Sequence, residues 1–573
     1  MSPYLRAVAL DYDGTLTEGG PPAQRVLSAI GTTRERGQRA VLVTGRILGE
    51  LTAEFPDVAD HFDAIVAENG AVVVTSEDRR RLASPVDPDL ARALARRGLR
   101  FREGEVLLAG SASDELAALD EVRQLGLDEQ LVRNRGELMI LPPGVSKGAG
   151  LFDALGELGV SYHSTIAAGD AENDHALLAS CEVGAAVANA VPALRRRADV
   201  VLRRPNGSGV AELLTGPVLS GHERVHARRW YVRLGRGSRT RAVELPGSQI
   251  NVAIVGGSAA GKSYVAGLLA ERVMATGYVA LVVDAAGDHV DLRRLRGVVR
   301  LEGEEAALSA DRARRLFGHR FASIVADLSP LAPSRRNAVV ADTPALVEAS
   351  RDAAGLPHWV IVDGAGEETL AAAPPLGEAD PPVHGYCIVS RYPRALGAAT
   401  RAGLDVVIAT PGDDVEDAAD LAGEVAGMPA AAIAGMLAAG RPGEAVFARR
   451  PSLGPTDLVS VSDRVTRHVR HWQTATRATL PPDRRFHFRS RPGAAPIHEA
   501  ANLTDFCSAL EAVDAATLRR HAREGDFSRW VTRAIDDRRL GEELAAIERD
   551  TDDGATDELR HRLLSAVRGR YWP

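Results

Sequence analysis

Short runs of consecutive apolar residues recur along the first three quarters of the chain, and helix-like spacing fills the intervals between them. In the first part the runs are Arg6–Leu10 (RAVAL), Ala40–Val43 (AVLV), Ala64–Ala67 (AIVA) and Thr165–Ala168 (TIAA), each leading straight into Gly, Asp, Thr or Glu-Asn. Strands that are apolar at successive rather than alternate positions are covered on both faces, and helices between them make the sheet parallel. Ligands of such sheets bind at the carboxyl ends of the strands, which is where these polar residues fall. The pattern predicts an α/β unit, a Rossmann-like core, over residues 1–217. A second strand–helix alternation over 244–450 predicts another α/β unit, with strands in Gln249–Val255, Val279–Val283, Ala322–Asp327 and Trp359–Val362. Residues 218–243 between the two are polar and basic with little periodicity, and read as a linker. Over 455–573 apolar positions return at helical spacing, as in Leu540–Leu564, and predict a small helical module.

Composition narrows the function classes. A chain of 573 residues exceeds what one core organises, so about three or four domains are expected. The net charge of −8 and pI near 6.1 lack the basic surplus of a nucleic-acid-gripping protein, so nucleic acid is not an expected partner. Cys181, Cys387 and Cys507 lie far apart, with neither metal-ligand spacing nor a disulfide framework, which suits a reducing compartment. The first residues, MSPYLRAVALDYDG, do not form a signal peptide, and the apolar runs are too short to span a bilayer. A soluble, cytoplasmic protein with no membrane partner is expected.

The candidate chemistry begins at Leu10-Asp11-Tyr12-Asp13-Gly14-Thr15. Two aspartates two positions apart after an apolar strand sit at its open end, and Gly14 permits the tight turn that follows. One carboxylate can attack phosphorus to form an acyl phosphate, and the second can protonate the leaving alcohol and then deprotonate water. Alone, the hexapeptide also fits a polar strand-end turn. Three further pieces follow in order. Thr44, within Val43-Thr44-Gly45-Arg46, ends the next strand with a hydroxyl for a phosphoryl oxygen. Lys147 opens a helix with an ammonium that offsets an anionic intermediate. Gly169-Asp170-Ala171-Glu172-Asn173-Asp174 ends another strand with acids suited to Mg²⁺, a hard cation that takes a few carboxylates and keeps its waters. Each piece has a bland reading, a solvated lysine or an Asx turn; their order and placement at strand ends together point to phosphoryl transfer.

These four motifs resemble the haloacid dehalogenase (HAD) superfamily over roughly the first 215 residues. The resemblance implies Asp11 as nucleophile and metal ligand, Asp13 as general acid/base with its carbonyl on the metal, Thr44 and Lys147 as phosphate binders, and Asp170 as a magnesium ligand. Asn173 and Asp174 would support that ligand set and Lys147, with Gly14, Thr15 and Arg46 beside it. The insertion between Thr44 and Lys147, about 82–145, resembles the cap of the Cof-type (class IIB) branch, as does Glu68-Asn69-Gly70. That branch includes sugar-phosphate and phosphoglycolate phosphatases, so a small phosphorylated metabolite is the implied substrate. Cap residues Arg133, Asn134 and Arg135 are candidate specificity contacts, although solvated loop positions account for any one of them.

Gly256-Gly-Ser-Ala-Ala-Gly261-Lys262-Ser263 satisfies GxxxxGK[ST] between a strand and a helix, the context in which backbone N–H groups cradle phosphates, the lysine reaches the terminal ones and the hydroxyl meets Mg²⁺. Asp363, ending the run from His358, is the expected second magnesium partner. The segment resembles the ATPase domain of HerA/FtsK-type translocases, and Asp284 to Asp288 matches a D-x-x-G-D run found there. The resemblance implies bound ATP and a homo-oligomer formed through this part. Such ATPases place a glutamate after the aspartate; here the residue is Gly364, with Glu367 and Glu368 out of register, so binding is expected more than turnover. In the last part Phe527 and Trp530 are expected core anchors, and His487 and His521 are read as core or surface histidines. The expected whole is a Mg²⁺-dependent phosphatase fused to an ATP-binding domain; the alternatives are a HerA-like ATPase with an accessory phosphatase, or a nucleotide-sensing scaffold.

Overall fold

In the computed structural model the chain is described over residues 4–571 except 239, 258–259, 365, 367–373, 375, 379, 413–414, 469–474, 477–478 and 551–555. Ala7–Asp11, fully buried along its length, forms a central strand of an eight-stranded sheet, because no position in its AVAL run can face water without exposing apolar surface. From one edge the order is Val200–Val201, Val183–Ala186, Thr165–Gly169, Ala7–Asp11, Arg39–Val43, Ala64–Ala67, Val72–Thr75 and Arg79–Arg81. The first six run parallel and the last two turn back antiparallel. The register pairs Leu10 with Leu42 on one side and Ala168 on the other, which brings Asp11, Thr44 and Asp170 to one edge.

A four-stranded antiparallel sheet in the order Arg102–Glu103, Leu108–Ser111, Glu137–Leu141 and Gln130–Asn134 stands apart from that core. Helices Pro88–Arg96 and Glu115–Leu125 pack on it through Leu90, Leu94, Ala118 and Val122 against Leu108, Leu138 and Ile140. The first helix starts where Pro88 presets the backbone and the Asp87 carboxylate accepts the Asp89 N–H at 2.8 Å.

A second, eleven-stranded sheet carries seven parallel strands: Val406–Ala409, Val252–Val255, Tyr386–Ser390, Trp359–Asp363, Ala280–Asp284, Ser323–Asp327 and Val298–Glu302. Four antiparallel strands extend it beyond Val406–Ala409, namely Glu444–Arg449, Asp457–Val461, Val232–Gly237 and Ala242–Leu245. Two expectations change here. The end of 218–243 is sheet rather than linker, in Val232–Gly237 and the start of Ala242–Leu245, because Val232 and Leu234 turn inward while Arg233 and Arg236 face water. That alternation is short and its outward positions are arginines, so it reads as a polar stretch. Residues after 455 are not purely helical either: Asp457–Val461 belongs to this sheet, and Phe486–Phe488 pairs antiparallel with His498–Ala500. Phe527 and Trp530 are buried in the helical core that follows, as expected.

The two sheets meet through a buried polar cluster. The His163 ring stacks on Tyr278 with centroids 3.6 Å apart, and lies between Glu182 (2.8 Å) and the Thr276 carbonyl (2.9 Å). Tyr278 donates its hydroxyl hydrogen to the same Glu182 carboxylate at 2.9 Å. No helix among the described residues is long and apolar enough to cross a membrane.

Candidate functional site

Four strand or helix ends bring the acids together. Asp11 ends its strand with a side chain 4% exposed, and its Oδ1 accepts a hydrogen bond from Lys147 Nζ at 2.5 Å. Lys147, the first residue of helix Lys147–Glu157, is itself buried and also donates to Asp174 Oδ1 at 2.6 Å. The other oxygen of Asp174 accepts the backbone N–H groups of Asp170 and Ala171 at 2.8 and 2.9 Å, which fixes the turn after Thr165–Gly169. Asp170 Oδ1 accepts the Thr15 hydroxyl at 3.0 Å, and Gly14, at φ +77°, lies so close that a Cβ would sit 2.4 Å from Asp170 Oδ2. An L-residue there would meet both the backbone and the space penalty.

Asp11, Asp170 and Asp174 each offer an oxygen within 4.8 Å of the others. Three buried carboxylates facing one ammonium leave excess negative charge in a poorly solvated site. Burial, and then the Asp174 charge, push the Asp11 carboxyl well above the usual carboxylate range despite Lys147; burial and Asp174 push Asp170 up as well. Burial works against the Lys147 ammonium, but Asp11 and Asp174 outweigh it and raise its pKa. The cluster already draws Arg135 from the antiparallel domain, whose guanidinium pairs with Asp170. Hard oxygens in excess of positive charge suit a divalent cation such as Mg²⁺.

Asp13 lies apart from the three buried acids. Its side chain is 40% exposed, and Arg46 clamps it with two hydrogen bonds of 2.8 and 2.7 Å, from Nε and from a terminal nitrogen. Arg46 also lies over the Tyr12 ring and pairs with Glu54. Asp13 thus stands on the wall of a cavity of about 730 Å³ rather than in the acid cluster, which a two-residue spacing on an irregular turn does not distinguish. Thr44 is buried at the neighbouring strand end, its hydroxyl oxygen accepting the Arg46 N–H at 3.1 Å. Asn173 reaches Asn69 at 3.2 Å.

The profile of the haloacid dehalogenase-like hydrolase family matches residues 8–101 and 121–214. Phosphoglycolate phosphatase 2 of Saccharolobus solfataricus is 30% identical over 234 residues, 38% of this chain and 93% of that protein. The chain belongs to the haloacid dehalogenase-like hydrolases. A phosphoglycolate phosphatase of Methanothrix thermoacetophila is 33% identical over 223 residues, 96% of its length, and one of Methanothermobacter thermautotrophicus is 30% identical over 216. As a member of this family the protein is a phosphoric monoester hydrolase, and the similarity lies in its first 37% or so.

Within this hydrolase unit the antiparallel domain, the expected cap, is inserted between strand Arg79–Arg81 and helix Lys147–Glu157, and two of its anchors escaped sequence reasoning. Glu68, buried and at φ +52°, accepts the N–H groups of Glu105, Val106 and Leu107 at 2.9, 2.8 and 3.2 Å, tying the strand end of Ala64–Ala67 to a loop of the cap. The signal was present, since Glu68 opens the Glu-Asn-Gly triplet, but nothing in the triplet names its partner. Arg102 bridges Glu50 of the core (2.6 Å) and Glu137 of the cap (2.7 Å) from an exposed position. Removing the Glu68 acceptor leaves buried amides unpaired, at about 1–3 kcal/mol. Glu68→Ala is therefore expected to lower the thermal midpoint and raise KM more than it lowers kcat, measured by calorimetry and steady-state kinetics.

The second constellation also gathers at one sheet edge. Helix Lys262–Ala275 follows strand Val252–Val255, Gly261 precedes it at φ +90°, and Gly256 (φ +144°) packs against Thr410, where a Cβ would lie 2.2 Å from the hydroxyl. Lys262 Nζ donates to the Gly257 carbonyl at 2.5 Å. Lys262, Ser263, Gly261 and Asp363 line one cavity of about 750 Å³; Gly256 lies outside that lining. Burial would raise the Asp363 carboxyl, but a 2.8 Å hydrogen bond from buried His289 and its charge hold it below the usual value. His289 was not foreseen. It is carried there by the loop after Ala280–Asp284, whose form follows from the Asp284 carboxylate accepting the N–H groups of Ala286, Gly287, Asp288 and His289 at 2.7–3.2 Å. Glu367 and Glu368 lie outside the described residues.

Proposed function

We propose that the first 217 residues hydrolyse a small phosphomonoester, a phosphoglycolate-like acid or a sugar phosphate, through a phosphoryl group carried on Asp11. The observation that carries this reading is the buried Lys147 bridging Asp11 and Asp174 beside Asp170, next to a polar cavity walled by Asp13, three arginines and four glutamates. The Asp11 oxygen not held by Lys147 attacks phosphorus, the ester oxygen departs, and Asp13, on the cavity wall, gives that oxygen its proton. Asp13 then takes a proton from the water that attacks the acyl phosphate, releasing inorganic phosphate and restoring Asp11. Lys147 holds Asp11 in place and offsets the charge gained during transfer. Asp11, Asp170 and Asp174 would hold Mg²⁺, which when bound supplies charge neutralisation and orientation at the phosphoryl oxygens. Arg46, Arg102 and Arg135 on the cavity wall are each paired with a carboxylate and would exchange those partners for a second anionic group of the substrate; the names of the relatives favour a phosphoglycolate-like acid. Screening phosphorylated metabolites with Mg²⁺ tests the substrate class; no turnover of any two- to six-carbon phosphomonoester contradicts it.

Metal binding also has an expected pH signature. A carboxyl whose folded value lies above its unfolded value keeps its proton longer in the folded state, so stability is present at low pH and lost as pH rises through the folded value. Asp11 and Asp170 are raised in this way. Mg²⁺ relieves the same repulsion and competes with the same protons. Its stabilising shift of the thermal midpoint is expected to be larger at pH 8 than at pH 5; an equal shift at both would mean the cation binds elsewhere.

We further infer that the Lys262 cavity takes the phosphates of ATP. The glycine-flanked lysine at a helix start, with Ser263 and Asp363 in the same cavity, supports this reading. Lys262→Ala is expected to abolish nucleotide binding by the full chain in titration calorimetry while leaving the phosphatase intact.

A further inference from the structure

We infer that the C-terminal helix completes the nucleotide site, with Arg570 as a second phosphate-binding cation opposite Lys262; this rests on reading the Lys262 cavity as a nucleotide site. The helical module does not stand away from the second sheet. It covers the edge where the parallel strands end: Val290, from the loop after Ala280–Asp284, is part of the module's own apolar core. The Arg467 backbone N–H donates to Asp291 at 2.8 Å, and its guanidinium reaches the Gly569 carbonyl. Arg570, one residue on, lines the same cavity as Lys262, Ser263 and Asp363.

Its geometry is that of an oriented cation. Nε and one terminal nitrogen of Arg570 donate to the Asp537 carboxylate at 2.5 and 2.9 Å, and the adjacent Tyr571 hydroxyl donates to the same group at 2.8 Å. Asp537 is itself fixed as the N-cap of helix Arg538–Arg549, accepting the Leu540 N–H at 3.0 Å. The fork toward Asp537 fixes the guanidinium plane, and its other terminal nitrogen, NH1, makes no hydrogen bond among the described residues. The side chain is 20% exposed and lines the cavity, so the guanidinium is not sealed from a ligand there. A guanidinium held in this way loses little freedom when it meets a phosphate oxygen. The polyphosphate of a nucleoside triphosphate would then be held by Lys262 and the helix start from the sheet, and by Arg570 from the module. Nucleotide occupancy would fasten the C-terminal module to the sheet, which gives the last part of the chain a role that its sequence does not announce.

The test uses the full chain with Mg²⁺ and the non-hydrolysable triphosphate AMP-PNP, read by titration calorimetry and by hydrogen exchange over Thr556–Tyr571. Arg570→Ala is expected to weaken binding at least tenfold, and AMP-PNP is expected to slow exchange in that helix in the wild type but not in the variant. Arg570→Gln keeps the aliphatic stem and a shorter amide donor near the Nε position without the charge; it should weaken binding to a similar degree, and exchange over Thr556–Tyr571 that matches the wild type in the absence of nucleotide separates lost contact from lost folding. If both variants bind within twofold of the wild type with the same protection, Arg570 has no part in the site, while the Lys262 reading stands. If the wild type binds no AMP-PNP, the nucleotide reading falls and this inference with it.

Discussion

Asp11→Asn is expected to abolish phosphomonoester hydrolysis, with kcat lowered by at least ~10³-fold and the fold retained, because the amide keeps the shape of the group but supplies no nucleophile. The substitution also removes one charge from a cluster in which three carboxylates face a single ammonium. The variant should therefore unfold at a temperature no lower than the wild type in the absence of Mg²⁺. Steady-state kinetics on a generic aryl phosphate, together with a thermal melt, check both parts. Full activity in the variant would remove Asp11 from the chemistry.

Lys147→Met should have the largest effect on stability. The lysine side chain is 1% exposed and bonds two carboxylates that are themselves exposed by no more than 4%. Deleting one partner of a buried ionic group leaves uncompensated charge, which costs about 3–5 kcal/mol. For a unit of this size that corresponds to a fall of roughly 10 °C in the thermal midpoint. Catalysis should be lost as well, since neither the placement of Asp11 nor the neutralisation of the transferred group survives. Millimolar Mg²⁺ should recover part of the stability and none of the turnover. A variant that melts with the wild type would mean that the acids are neutral in the folded protein and that the lysine bridge carries little.

The convergence of the acid cluster was largely legible because most of its members stand at strand ends. Asp11, Thr44 and Asp170 each follow an apolar run, and a parallel register brings such ends to one edge whatever the intervening loops do. Lys147 and Asp174 were legible as motif members, but that one ammonium bridges Asp11 and Asp174 is a tertiary fact. What escaped reading depends on contacts distant in sequence. The clamp of Arg46 holds Asp13 at the cavity and away from the buried acids, and spacing alone cannot set a side chain's rotamer. Glu68 and Arg102 act by joining cap to core, and neither carries a local signature of its partner. In the fold, Val232–Gly237 was missed because a short edge strand with outward arginines has the composition of a connector. Asp457–Val461 was missed because the helical periodicity downstream was extended too far back. The polar cluster of His163, Glu182 and Tyr278 drew no notice for the same reason: its members come from two units and meet only in the folded chain.

The most direct measurement is to mix the protein with Mg²⁺ and a rapidly turned-over phosphomonoester, quench with acid within a turnover, and treat with borohydride before peptide mass analysis. An acyl phosphate on Asp11 is predicted to be trapped as homoserine at position 11, and the modification should be absent without Mg²⁺. Active enzyme that yields no modified residue 11, or a modification confined to another carboxylate, would contradict the account.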